Sequence, residues 1–159
     1  MNARPLSLKG RALRFLAARE HSRTELERKL APHAADQPGE LARVLDLLEA
    51  KGLLSQQRFV DSVVHRRAPR HGSARIRQEL QAKGVDAEAI ATALAGLKRS
   101  EAERARLVWQ QRFGGAPADA AARAKQMRFL LARGFAADVA HQVVQADGDV
   151  DEPQPPPAD

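Results

Sequence analysis

Five arginines, Arg66, Arg67, Arg70, Arg75 and Arg77, fall within the sixteen residues HRRAPRHGSARIRQEL (65–80), beside His65, His71 and a single acid, Glu79. A guanidinium is a planar fork of N–H donors matched to the paired oxygens of phosphate or carboxylate, so such a run is chemistry for holding a polyanion. The competing explanation is a solvated face. Arg66 and Arg67 close a helical run, where cations suit the helix dipole whatever they bind. Arg75 and Arg77 sit differently: they fall in the first turns of the next run, where the dipole favours acids. There they flank the inward-pointing Ile76 and Leu80, next to amides that a helix start leaves free for an anion. With Lys83 the cluster counts seven bases against two acids, Asp61 and Glu79, between positions 58 and 83. An anionic-partner surface made of Arg66, Arg67, Arg70, Arg75, Arg77 and Lys83 is the expectation.

Other chemistry finds little to stand on. Cysteine is absent, which removes disulfides and thiolate metal sites and permits a reducing compartment. His65 and His71 have arginine neighbours that would repel a metal ion, so no metal is expected. Gly114 and Gly115 lack the lysine of a nucleotide-binding loop. Ser7, Ser22, Ser55, Ser73 and Ser100 stand where helix starts need a hydroxyl, and Glu25, Glu27, Glu101 and Glu103 are read as first-turn acids that suit the dipole. Trp109 and the five phenylalanines fall mostly at core positions of their runs, which leaves a base-stacking platform as the weaker reading. A non-enzymatic protein without cofactors is expected.

The elements that must carry the basic cluster are all helical. Ser7 opens LKGRALRFLAARE, with Leu8, Ala12, Leu13, Phe15 and Leu16 on its apolar face. Ser22 with Glu25, and Ser100 with Glu103, have capping-box spacing. Pro32, Gly52, Pro69, Gly84, Gly114 and Gly134 end successive runs. Nine short helices result, and they group as three copies of three. At an offset of fifty residues Leu30 matches Leu80, Leu80 matches Leu130, Gly84 matches Gly134 and Val85 matches Phe135; at forty-five, Ser55 matches Ser100, Val63 matches Val108 and Arg67 matches Arg112. The expected fold is therefore all-α: an elongated array of three tandem three-helix repeats, 1–53, 54–98 and 99–146, with a disordered acidic, proline-rich tail at 147–159. Three-helix units of this size bury too little to stand alone, and stacking lets them share a core.

The chain has 159 residues and a net charge of +6. The last thirteen residues hold five acids and no base, so the body alone carries +11, and 20 of its 26 basic residues are arginine. A basic body implies an acidic partner, nucleic acid or acidic protein. No run of eighteen apolar residues and no leader-like N-terminus is present, so a cytoplasmic protein with no membrane partner is expected. The tail is read as a solubility segment, with fold-back onto the basic face as the sharper alternative.

The segment RFVDSVVHRRAPRHGSARIRQELQAKGVDAEAI (58–90) resembles the central repeat of the RecX family, bacterial regulators of the RecA recombinase. Arg58-Phe59, Arg66, Arg67, Gly72, Arg75-Ile76, Glu79-Leu80 and Lys83-Gly84-Val85 carry the likeness. ALRFLAAREHSRTELERKL resembles the first repeat, KQMRFLLARGFAADVAHQVV the third, and LLEAKGLLSQQRFV the join between the first two. Residues 8–145 are covered. Arg11 stands where the family often has an aromatic, and the tail has no counterpart.

The resemblance implies a monomeric, three-repeat modulator that binds in the groove of the RecA–DNA filament, touching protein and lying close to single- or double-stranded DNA. It further implies restraint of filament growth, strand exchange, ATP hydrolysis and coprotease activity in the SOS response. Three rivals stay open. One is a general nucleic-acid binder acting on recombination indirectly, and another is a helical adaptor for an acidic protein. The last is a helix-turn-helix factor using RTELERKL or SARIRQEL, which the lack of a dimerising element disfavours.

Overall fold

The first helix, α1 (Leu8–Ala18), begins where the Ser7 hydroxyl accepts the Gly10 amide at 3.1 Å, as its sequence position requires. The structure, a computed structural model, describes residues 4–146. The expected disordered tail, 147–159, lies outside the described residues. Within them are nine α-helices and two short 3-10 turns, and no strand. After α1 come α2 (Arg23–Leu30), α3 (Pro38–Ala50), α4 (Gln56–Arg67), α5 (Ser73–Ala82), α6 (Ala87–Leu97), α7 (Glu101–Phe113), α8 (Ala120–Ala132) and α9 (Ala137–Ala146). The all-α class and the helix count agree with the sequence reading.

Of the expected serine caps, Ser22 accepts from Glu25 and Ser55 from Arg58, while Asp86 accepts from Ala89 and Asp119 from Ala122, each satisfying an amide the helix itself leaves unpaired. Two serines depart from the expectation. Ser100 lies in a 3-10 turn, Lys98–Ser100, that runs straight into α7, so its backbone is already helical and its hydroxyl caps nothing. That hydroxyl donates instead to the Leu97 carbonyl and accepts from Arg104, which undoes the proposed box with Glu103. Ser73 is the first residue of α5, and its own amide is what needs a partner; the carboxylate of Glu101 supplies one at 3.1 Å. Only the hydroxyl half of the Ser22 box forms as drawn, since Glu25 turns its carboxylate to Arg19 and Lys83. Leu13, expected on the buried face of α1, is exposed.

The contacts divide the described residues into two compact units, 4–66 with 78–93, and 67–77 with 94–146. The first unit buries a core from α1, α2, α3 and the segments beside them: Leu8, Ala12, Leu26, Leu30, Ala34, Leu41, Leu45, Leu48 and Leu54. The second buries Ala105, Val108, Trp109, Leu130, Phe135, Ala140, Val143 and Val144 from α7, α8 and the α9 region. Trp109 is a core residue, as expected, and its indole N–H donates to Gln126 at 2.8 Å, which meets the one polar demand of that ring.

The period of fifty is visible in three dimensions. Leu30, Leu80 and Leu130 are each fully buried. Gly84 and Gly134 end α5 and α8 in the left-handed region, with φ of +75° and +88°. The amide of the next residue then reaches back to the matched leucine, Val85 to Leu80 at 3.1 Å and Phe135 to Leu130 at 3.2 Å, closing a Schellman turn. Both glycines also press against the start of the corresponding earlier helix. A methyl on Gly84 would run into the Thr24 side chain, and one on Gly134 into Arg75. One joint is thus built twice, once inside each unit.

Candidate anionic-partner interface

In the first unit this joint is closed by charge. Glu25 on α2, nearly buried, meets the Lys83 ammonium at 3.1 Å and the Arg19 guanidinium at 2.5 Å. Burial alone would push the Glu25 carboxyl up; the hydrogen bonds from Arg19 and then Lys83 outweigh it and hold it at about 2. Lys83, one of the six residues expected at the partner surface, is thereby engaged inside the fold. Beside this pair His21 is buried, its Nδ1 3.0 Å from the Arg19 carbonyl and its Nε2 3.0 Å from the Lys29 ammonium. That geometry suits a neutral ring that donates from Nδ1 and accepts at Nε2.

In the second unit the same joint is built around the turn that follows α4. The amide of Gly72 donates to the Arg133 carbonyl at 2.9 Å, that of Ala74 to the Gly134 carbonyl at 3.1 Å, and that of Ser73 to Glu101. The amides of Gly72, Ser73 and Ala74 at the start of α5 are therefore taken, and the expectation that they lie free for an anion is corrected. Buried backbone donors must be paired, and here the neighbouring turn and a carboxylate do it. The turn is clamped by a residue that the sequence did not single out. Arg104 on α7 donates to the carbonyls of Ala68 at 2.8 Å and His71 at 2.7 Å, as well as to the Ser100 hydroxyl. Burial lowers its pKa, with Glu101 opposing, yet it stays charged at any relevant pH.

This clamp presents basic side chains outward. Arg70 in the turn, and Arg75 and Arg77 on α5, are exposed; Arg66, at the end of α4 in the first unit, is exposed too, and Arg67 is half-buried. Four of the six expected residues (Arg67, Arg70, Arg75 and Arg77) therefore belong to the second unit, while Arg66 and Lys83 belong to the first. Arg70 further lines a cleft of about 300 Å³ together with Val108, Gln111, Arg112, Phe129 and Arg133. Arg112 and Arg133 were missed by the sequence reading. They lie over the Phe129 ring, 6.0 and 5.0 Å from its centre. His71 records the local field: burial first, then Arg133, Arg75 and Arg67, pushes its imidazole toward the neutral form against the pull of the Arg67 carbonyl.

Charge is distributed unequally between the units. Residues 4–66 with 78–93 hold thirteen bases and eleven acids, a net +2, whereas residues 67–77 with 94–146 hold thirteen bases and four acids, a net +9. Among the described residues no group of three His, Asp or Glu is placed to hold a metal, and no helix is long and apolar enough to cross a membrane.

A succession of three-helix sets, capped and closed alike, with the charge gathered in one half, defines an all-α repeat protein with a strongly basic unit. Residues 55–94 match the family model described as the second three-helix domain of RecX, and residues 100–144 the one described as its third. The chain is 60% identical over 144 residues to the regulatory protein RecX of Leptothrix cholodnii, covering 91% of each chain. It is 51% identical over 153 residues to that of Ralstonia nicotianae, covering 96% of each. The chain belongs to the RecX family, as the resemblance of residues 58–90 implied. The crystal structure of RecX from Lactobacillus salivarius has the same fold, with a TM-score of 0.74 at 21% identity over 89% of this chain and 94% of that one.

Proposed function

We propose that this chain is a non-enzymatic negative regulator of RecA that docks in the groove of the RecA–DNA filament through the basic surface of its second unit. Arg67, Arg70, Arg75 and Arg77 contribute to that surface, whereas Arg66, exposed at the end of α4, and Lys83, engaged by Glu25, are carried by the first unit. The observation that carries the reading is the net +9 of residues 67–77 and 94–146, set in a member of a family of regulatory proteins. A cationic surface of this density suits a partner whose own surface is a regular array of phosphates and acidic side chains. Docking there would limit filament growth and, with it, strand exchange, ATP hydrolysis and coprotease activity.

The test is the ATPase of RecA on single-stranded DNA, titrated with this protein. The expected result is a dose-dependent fall in turnover, and unchanged turnover at a several-fold excess of the chain over RecA would overturn it. The same charge also favours a second reading, a general nucleic-acid binder that acts on recombination indirectly. That reading requires equal affinity for bare single-stranded DNA and for a preformed filament, where docking requires a clear preference for the filament.

A further inference from the structure

The two copies of the joint differ in one chemical respect. At the offset of fifty, Glu25 corresponds to Arg75 and Lys83 to Arg133. In the first unit Lys83 is answered by Glu25 at 3.1 Å. In the second unit the residue matched to the carboxylate is itself a cation, Arg75, which with Arg133 presses on His71, while the carboxylate at this joint, Glu101, takes the Ser73 amide. Among the described residues no carboxylate pairs with Arg70, Arg112 or Arg133. Nδ1 of His71, buried next to Arg70, has no hydrogen-bond partner. Gathering like charges without a counter-ion costs free energy, and that cost is recovered when an anion is supplied from outside.

The cleft beside this joint has the size and donors for such an anion. Arg70, Arg112 and Arg133 converge on a space of about 300 Å³, with the Gln111 amide as a further donor. Phe129 holds the Arg112 and Arg133 guanidinium planes near its ring, 6.0 and 5.0 Å away, and so limits their freedom before any ligand arrives. Helix α8, which carries Phe129, has Arg123, Lys125 and Arg128 exposed and no acid along its length, so the positive charge continues away from the cleft. One isolated anion would be served by the cleft alone. Cations continuing along the adjoining helix suit a chain of phosphates.

We infer that the cleft formed by Arg70, Arg112, Arg133, Gln111 and Phe129 seats a backbone phosphate of a single-stranded nucleic acid, an external anion that answers guanidinium groups no carboxylate of the fold pairs. The inference rests on the filament-docking reading for its biological setting and is tested without RecA. A fluorescent oligothymidylate is titrated with the full chain between about 50 and about 200 mM salt, for wild type, Arg70→Gln and Arg112→Gln/Arg133→Gln, with melting followed by circular dichroism. Loss of two of the arginines that hold the seated phosphate is expected to weaken binding about tenfold and to flatten the slope of log affinity against log salt by about 0.7. Arg70→Gln, an exposed turn residue, gives a smaller loss in the same direction even if the double variant melts early. A poly-glutamate competitor and inorganic phosphate, each at matched charge, are expected to displace the oligonucleotide poorly.

Unchanged affinity and slope in both variants overturn the assignment, and efficient displacement by poly-glutamate reassigns the cleft to acidic protein and equally overturns it. Failure of wild type to restrain RecA ATP hydrolysis bears on the docking reading alone, because oligonucleotide binding is measured separately.

Discussion

Glu25 shows how a single carboxylate can fix a joint and give it a pH dependence. Its folded-state pKa of about 2 lies below the 4.5 of a free glutamate, so the folded chain binds fewer protons than the unfolded one in acid. The stabilisation is complete above about pH 4.5 and drains as pH falls toward 2, and its full size is roughly 3 kcal/mol. His21 acts in the same direction at higher pH. Burial first, then the charges of Arg19 and Lys29, outweighs the Arg19 carbonyl and the Glu25 charge and lowers its pKa below 6.5. Stability is therefore full above that value and falls as the pH drops below it. Urea unfolding followed by circular dichroism should show stability declining below about pH 6.5, with a second decline below about pH 4.5. Glu25→Gln should remove the second and cost up to about 3 kcal/mol near neutral pH. An unaltered acid decline in that variant would contradict the assignment.

At the scale of the element, punctuation was the most legible signal. Ser7, Ser22 and Ser55 announced helix starts, and glycines fixed the ends, because both act through local backbone geometry that a short window contains. Where the sequence misled, the deciding partner lay far along the chain. Ser73 and Ser100 have the right type for a cap, but Glu101 reaches the Ser73 amide across 28 residues and a 3-10 turn removes the need at Ser100. Arg104, Arg112 and Arg133 carried no mark of their roles, since neither spacing nor type tells a clamping arginine from a solvated one. The fifty-residue offset did hold a clue: it aligns Arg75 with Glu25, a reversal of charge at a conserved geometry.

The glycine turns yield a comparative prediction. Gly52 and Gly84 have nearly the same left-handed φ, +70° and +75°, but a methyl at 52 meets nothing within 4 Å while one at 84 strikes Thr24. Gly52→Ala should cost about 1 kcal/mol from backbone strain, and Gly84→Ala about 3 kcal/mol because the joint must also open. Equal shifts in the urea midpoint would show that Thr24 yields freely and that the joint is loose.

At the scale of the whole molecule, the repeats and the compact units do not coincide. The sequence period groups α4, α5 and α6 together, whereas the contacts assign most of α4 and residues 78–93 to the first unit, and residues 67–77 with the end of α6 to the second. Local patterning reveals the period, but long-range contact decides which residues cohere, and no window of sequence displays that. The charge difference between the units follows the contact grouping, so it too was hidden when the chain was read in thirds. The proposal that the basic unit engages RecA on DNA is most directly tested by co-sedimentation with a preformed RecA filament on single-stranded DNA. Wild type is compared there with Arg70→Gln/Arg75→Gln/Arg77→Gln, three exposed positions of that unit whose neutralisation should leave helicity and melting intact. The account predicts that wild type pellets with the filament and that the folded variant stays in the supernatant; a variant that pellets as fully as wild type would contradict it.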